Sequence, residues 1–291
     1  MPITRAGLVA RWTLPDALAA LVDAAAWLEA HGCTPIVDAD SAGAAGLGGR
    51  WATATREALA TRVDVVLAFG GDGTLLEAAG AVAASGADVP VLGVNLGHLG
   101  FLTEVRRAEI APALDAVLAG RTRTETRLLL CGRVTRDGKE TTSHLALNDI
   151  VVTRGALSRM IEIDVSIDGQ LVSHVKADGL IVATATGSTA YNLSAGGPIL
   201  HPLVDAFVIT PIAPHTLTNR PVVVPATATI ALRPQSDVSP PDIVVTFDGQ
   251  FGVPIAGDET VLVQRAPRVV RFLRTSSRTH FDMLREKLKW G

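Results

Sequence analysis

VDVVLAFGGDGTLLEAAGAV, residues 63–82, decides the fold. It opens on an almost wholly apolar run, Val63–Phe69, in which Asp64 is the one charge. Such a run suits a strand of a parallel sheet that is covered on both faces. Gly70-Gly71-Asp72-Gly73 reads as a tight turn, and a helix is expected from Thr74, with Leu75, Ala79 and Val82 on one face. Val89–Val94 follows as the next strand. Strand, turn, helix and strand in that order argue a doubly wound α/β unit. The functional end of such a unit is the crevice outside the carboxyl ends of its strands.

Upstream, Ala17–His31 is helical, with Leu18, Leu21, Val22 and Leu28 near helical spacing and Gly32 as the stop. Pro35–Val37 reads as a short strand and Asp38–Arg50 as a loop. Downstream of about Arg123 the pattern changes to β-rich runs: Leu128–Val134, Leu145–Val152, Ile161–Ile167, Leu180–Ala183, Phe207–Ile212, Thr227–Leu232, Ile243–Phe247 and Val261–Val263. Asp137-Gly138, Asp168-Gly169 and Asp248-Gly249 supply turn chemistry between them. The expected fold class is an N-terminal doubly wound α/β domain over residues 1–123 and an antiparallel β-sandwich-like domain over 124–267. Residues 268–291 are expected to return to the first domain through an amphipathic helix, His280–Trp290, with Phe281, Leu284 and Leu288 on one face.

The chain has 291 residues, enough for two domains. Its 48% hydrophobic and 19% charged residues exclude global disorder. A net charge of −3 gives no basic excess for nucleic acid. Cys33 and Cys131 form no CxxC and no disulfide framework, which fits a reducing compartment. The mean hydropathy of +0.32 raises the question of a membrane. Asp23, Glu77 and Asp88 interrupt the apolar stretches, and Val89–Leu102 is too short to span. The N-terminal MPITRAGLVARW carries no secretory signature, so a cytoplasmic protein with no membrane partner is expected.

The sharpest chemical signal is Gly70–Thr74. Glycines let a ligand approach the backbone, and a helix N-terminus favours phosphate. It is no Walker A loop, because no Gly-Lys-Ser/Thr follows, and Leu76 stands where GxGxxG needs glycine. Asp72 would repel a phosphate unless it accepts a proton or contacts a cation. In the other reading it forms the turn and Thr74 caps the helix. Asn95–Phe101, NLGHLGF, brings a second Gly-rich loop to the same crevice. Asn148-Asp149 sits inside an apolar run, either to bond sugar hydroxyls or as a bulge or strand-end pair. The stretch from Lys176 to Pro198 gathers Thr184, Thr186, Ser188, Thr189, Asn192 and Ser194 around Tyr191, the only tyrosine. Hydroxyls beside one aromatic ring suit a nucleoside. The 7 histidines show no HExxH or paired metal spacing.

Together these motifs resemble the NAD kinase family. The resemblance rests on GGDGT at 70–74, NLGHLGF at 95–101, LND at 147–149 and DGLIVATATGSTAYNLSAGGPI at 178–199. ITPIAPHTL at 209–217 and DGQ at 248–250 match as well. It implies a kinase that transfers the ATP γ-phosphoryl group, with Mg²⁺, to the 2′-hydroxyl of the adenosine ribose of NAD. A homotetramer or homodimer is implied too. Asp72 would be the general base. Gly71, Gly73, Thr74 and Asn95 would line the nucleotide phosphates, and Asn148 and Asp149 would orient the ribose. Arg159, Lys176 and Asp178 would hold the dinucleotide, with Arg159 supplied by a neighbouring subunit. Thr189, Ala190, Tyr191, Asn192, Leu193 and Ser194 would cradle the adenosine, Tyr191 by stacking, and Gln250 would close the site. The chain departs from the family pattern at Ala185, where proline is usual, and at Asp149, where many members have glutamate. The alternatives are a lipid kinase sharing GGDGT and a non-catalytic dinucleotide sensor. The acidic balance and polar 184–194 loop argue against the first, and Asp72 argues against the second.

Overall fold

The structure is a computed structural model that describes residues 3–97, 100–155, 160–216, 218–235 and 243–290. It divides into two compact units, 1–126 with 270–291, and 127–269.

In the first unit the elements run β1 (Arg5–Ala10), α1 (Pro15–Ala30), β2 (Thr34–Asp38), α2 (Ala39–Ala44), β3 (Ala52–Ala54), α3 (Arg56–Ala60), β4 (Val65–Gly70), α4 (Asp72–Ser85), β5 (Val91–Asn95), β6 (Val105–Arg106) and α5 (Ile110–Leu118). The parallel sheet has the order β3-β2-β1-β4-β5. β4 is buried along its whole length, as its apolar run requires. α1 lays Ala17, Ala20, Leu21, Ala24, Ala25 and Leu28 inward, so small side chains let it approach the sheet closely. α1 packs with α5, and α3 with α4. The chain leaves β1 towards β2 and leaves β4 towards β5. The carboxyl ends of β1 and β4 are therefore the topological switch point. They touch there, with the Arg11 N–H donating to the Phe69 carbonyl at 2.9 Å.

Three sequence expectations are corrected in this unit. α4 starts at Asp72, not Thr74: Gly71 is its extended N-cap, and the Leu75 N–H already bonds the Gly71 carbonyl at 3.1 Å. Thr74 is therefore buried inside the first turn and does not cap it. Residues 38–50 are not wholly loop. The Asp38 carboxylate accepts from the Ser41 N–H at 3.1 Å and the Ser41 hydroxyl at 2.7 Å, an N-cap that nucleates α2. At the end of the chain the helix spans His280–Leu288 and turns Met283 and Leu284 inward, leaving Phe281 62% exposed. The stripe at 3.6-residue period is His280, Met283, Leu284 and Lys287, about a quarter-turn from Phe281.

The second unit contains β7 (Arg123–Arg136), β8 (Lys139–Ala146), β9 (Asp149–Arg154), β10 (Ile161–Ile167), β11 (Gln170–Ala177), β12 (Gly179–Thr184), α6 (Tyr191–Ser194), β13 (Ala206–Ile212), β14 (Val222–Pro225), β15 (Ile230–Gln235), β16 (Ile243–Phe247), β17 (Phe251–Ile255) and β18 (Thr260–Arg274). β7 begins, and β18 ends, in the first unit, where Phe272 pairs in parallel with Val91. The final helix is α7 (His280–Leu288). One antiparallel sheet has the order β14-β13-β12-β9-β16-β17, and β11-β10-β15-β18 with β7 and β8 forms the other. Ile163, Ile230 and Val261 from one sheet meet Ile150, Val182, Phe207 and Val245 from the other in a shared core. Asp137 and Gly138, and Asp168 and Gly169, take positive φ in two-residue hairpin loops, as their sequence predicts. The run Leu145–Val152, expected as one strand, is two: β8 ends at Ala146 and β9 begins at Asp149 in the other sheet. The break falls at Leu147-Asn148 because their amides turn to a side chain, described below.

Candidate active site

In the first unit a cleft of about 440 Å³ opens at the switch point. Arg11, Trp12 and Thr13 after β1 form one wall, and Gly71, Asp72, Gly73 and Thr74 form the other. Arg56 and Glu77 close its side. Arg56 is an ion-pair bridge: its Nε lies 3.5 Å from Asp38 Oδ1, and its Nη1 bonds Glu77. The Arg11 Nε donates to the Thr13 hydroxyl at 3.2 Å. The N-terminus of the 14-residue helix α4 faces this cleft, and its dipole favours an anion there.

The Asp72 carboxylate is not a bare charge. Its Oδ2 accepts from the Phe101 N–H at 2.6 Å. Its Oδ1 accepts from the Leu102 N–H at 3.1 Å, the Thr103 N–H at 2.9 Å and the Thr103 hydroxyl at 2.9 Å. The backbone wraps this carboxylate so closely that a Cβ on Gly100 would lie 1.8 Å from Oδ1. Glycine is required here by contact, not by backbone angle. Asn95, predicted as a site residue, is buried in the same network, its Nδ2 donating to the Thr103 hydroxyl at 3.1 Å. His98 and Leu99 of the NLGHLGF motif lie outside the described residues.

This second loop is itself pinned from far along the chain. Arg274 is buried, and its Nη1 donates to the Leu102 carbonyl at 2.8 Å while its Nε donates to Glu125 at 3.0 Å. Glu104 accepts from the Thr275 and Ser276 N–H groups at 2.7 and 3.2 Å. Thr103, Glu104 and Arg274 were not singled out from sequence. The one signal for them is two polar residues, Thr103 and Glu104, closing an otherwise apolar stretch.

The second unit builds its own polar site at the β8–β9 break. Asp248 sits at φ 54° in the turn after β16. Its Oδ2 accepts from the Leu147 N–H at 2.8 Å, and its Oδ1 from the Asn148 and Asp149 N–H groups at 2.7 and 3.1 Å. The carboxylate thus substitutes for a strand partner and breaks the run. Burial pushes the Asp248 carboxyl above its ordinary range against the pull of those amides. Asp149 is buried beside it. Burial first, and the Asp248 charge second, raise the Asp149 carboxyl to about 7. The Asn148 carbonyl accepts from the Thr184 N–H at 2.9 Å. The Thr184 hydroxyl donates to the Leu147 carbonyl at 2.6 Å. A Cβ on Gly187 would come 2.0 Å from the Asn148 oxygen, so the post-β12 loop folds tightly onto the break.

Along that loop, Tyr191 is 48% exposed and presents its ring, while Ser194 is exposed and Thr189, Ala190 and Leu193 are half-buried. Asn192 is different. It is fully buried, its Nδ2 donating to the Ser188 and Pro198 carbonyls at 3.0 and 3.1 Å and its Oδ1 accepting from Thr210 at 2.6 Å. Its amide shapes the loop. Lys176 pairs with Glu162 at 2.7 Å, and Asp178 with Arg154 at 2.9 Å. Gln250 is exposed in the β16–β17 turn. Arg159 lies outside the described residues.

Among known proteins, a family model described as the ATP-NAD kinase N-terminal domain matches residues 11–122, and one described as the ATP-NAD kinase C-terminal domain matches 147–275. The chain is 44% identical over 268 residues to the NAD kinase of Geobacter sulfurreducens, covering 91% of both chains. It is 41% identical over 287 residues to that of Syntrophotalea carbinolica, covering 99% of both. Yeast NADH kinase, solved with NADH, superposes with a TM-score of 0.89 at 26% identity over 99% of this chain and 87% of that one. An Archaeoglobus fulgidus NAD kinase, solved with ATP, superposes at 0.73 and 26% identity over 97% and 99%.

Proposed function

Because the chain belongs to the NAD kinase family, and so is a transferase that phosphorylates NAD to NADP, we propose that ATP is its donor and that Asp72 is its general base. The observation that carries this reading is the state of the Asp72 carboxylate. An ionised carboxylate has about four lone-pair sites. Oδ1 receives three donors and Oδ2 one. The capacity left for a substrate proton is therefore on Oδ2. The four donors also offset the negative charge that would otherwise repel a phosphate.

The triphosphate lies in the switch-point cleft, along Gly71, Gly73 and Thr74 at the N-terminus of α4. Arg11 adds positive charge to its outer wall. The second unit holds NAD: Asn148 and Asp149 orient the adenosine ribose, and Thr189, Ala190, Tyr191, Leu193 and Ser194 hold the adenosine. Asn192 keeps that loop in shape from within. Lys176 and Asp178 hold the dinucleotide, Arg159 joins them by the family pattern, and Gln250 closes the site. Asp72 takes the proton of the ribose 2′-hydroxyl as that oxygen bonds to the γ-phosphorus, and the bond from phosphorus to the β–γ bridging oxygen breaks. In-line positioning and charge neutralisation carry most of the rate enhancement.

Among the described residues no group of three or more His, Cys, Asp or Glu side chains converges to hold a metal ion. Mg²⁺ enters this reading as the counter-ion of ATP, held chiefly by the substrate phosphates. The family's oligomer, a dimer or a tetramer, belongs to the reading too. Exposed apolar residues on edge strands of the second unit, among them Leu171, Val172, Val222, Val223 and Phe251, support it. Among the described residues, no helix is long and apolar enough to cross a membrane. The cytoplasm remains the proposed location.

The test is NADP formation by purified protein from NAD and Mg²⁺, with ATP and polyphosphate as parallel donors and Asp72→Asn as control. ATP-dependent NADP that collapses in the variant is expected. A variant as fast as wild type removes Asp72 from the chemistry.

A further inference from the structure

We propose that Thr103 is a positioning residue whose hydroxyl, aimed by Asn95, turns the Asp72 carboxylate so that Oδ2 is left for the substrate proton. The proposal rests on the reading of Asp72 as the base.

The direction of every hydrogen bond in this relay follows from one backbone amide. The Gly97 N–H can only donate, and it donates to Asn95 Oδ1 at 2.9 Å. That fixes the orientation of the Asn95 amide and turns Nδ2 to Thr103, 3.1 Å away. The Nδ2 group can only donate, so the Thr103 oxygen accepts. The one hydroxyl proton of Thr103 then goes to Asp72 Oδ1 at 2.9 Å. Thr103 is 0% exposed, so no water competes for that proton. Its backbone N–H donates to the same oxygen at 2.9 Å, so one residue clamps Oδ1 twice. The side-chain rotamer is fixed as well. The Thr103 methyl lies over Gly93, where an added Cβ would meet it at 2.8 Å. A β-branched residue so packed holds χ1 in one well. Without the hydroxyl, Oδ1 keeps the Leu102 and Thr103 amides on its two lone pairs but loses its side-chain donor, and the carboxylate is held less firmly with Oδ2 towards the substrate.

The experiment compares kcat and KM for NAD and ATP in wild type, Thr103→Val, Thr103→Ser, Asp72→Asn and the Asp72→Asn/Thr103→Val pair. Thr103→Val should lower kcat about 10- to 100-fold, the size of one lost hydrogen bond to a charged group, with KM little changed. Thr103→Ser should recover most of kcat. In the Asp72→Asn background Thr103→Val should cost nothing more, because Thr103 acts only through that carboxylate. If Thr103→Val does not fold, Asn95→Asp supplies the same test, since a carboxylate at 95 takes the Thr103 proton away from Asp72. A slow Asp72→Asn with a fast Thr103→Val overturns the positioning role and leaves the base standing. So does a loss confined to KM, or additive losses in the pair. A fast Asp72→Asn overturns the base itself.

Discussion

Asp72 in the first unit and Asp149 in the second each open an element, and their surroundings are opposite. Asp72 opens a helix and is clasped by four donors that arrive on a single loop. Asp149 opens a strand, is buried, and faces a second carboxylate, Asp248, which takes the local amides for itself. One carboxyl is surrounded by donors, while the other holds its proton to about pH 7. The difference teaches how one residue type serves two tasks. A ring of donors makes an acceptor, whereas a dry pocket with a like charge makes a group that donates or accepts near neutrality.

The comparison breaks most severely at Asp72 itself. Asp72→Asn keeps the shape and loses the charge, and turnover should fall by about 10²–10⁴-fold, the range of a general base. Retained NAD binding by calorimetry separates this from unfolding. Next comes the loop. Gly100→Ala puts a methyl where the carboxylate lies, and a displaced base should cost on the order of 10²-fold in kcat. An alanine variant at wild-type speed would show that the clasp is dispensable.

Asp149 gives a pH signature. Unfolded, its carboxyl loses the proton near 4; folded, it keeps it to about 7. The folded state binds more protons between those values, so this group makes the protein less stable as pH rises through that window. Asp149→Asn removes the effect. Its melting temperature should exceed wild type at pH 8 by roughly 2–4 °C per kcal/mol of relief, and the two should converge towards pH 4. Thermal melts across pH check this, and a wild-type pH slope in the variant refutes it. The smallest effect is at Tyr191. The exposed ring contributes no core, so Tyr191→Ala should leave the melting temperature unchanged. It should raise the KM for NAD by about 2–10-fold, the size of one stacking contact.

How legible was all this from sequence? The GGDGT loop declared itself because strand, turn and helix are contiguous, and contiguous patterns obey local rules. The passage from α/β to antiparallel β structure is legible in the change of period near Arg123. The α2 cap at Asp38 is illegible in a run that reads as loop, because one short side chain overrides a run of poor helix formers. The partners of Asp72 stand 29 to 31 residues away, and those of the 147–149 amides stand 99 to 101 away. No periodicity encodes such pairs. Sequence shows Asp248 as a turn residue and as part of the DGQ motif, but nothing local marks it as the acceptor of the 147–149 amides. Asn192 faces inward, and sequence does not show it, because a polar residue in a polar loop looks the same whether it faces in or out.

The Arg274 bridge to Leu102 spans 172 residues of chain, and the whole of the second unit lies between them. At about 5–20 residues per second, a ribosome takes on the order of 10–30 s to cover that gap. During that time the α/β unit has left the tunnel without its last strand, its last helix or the arginine that holds its loop. The β unit, made second, is out in full first. The unit that carries the switch-point cleft gains the end of β18 and α7 only after the β unit has been made.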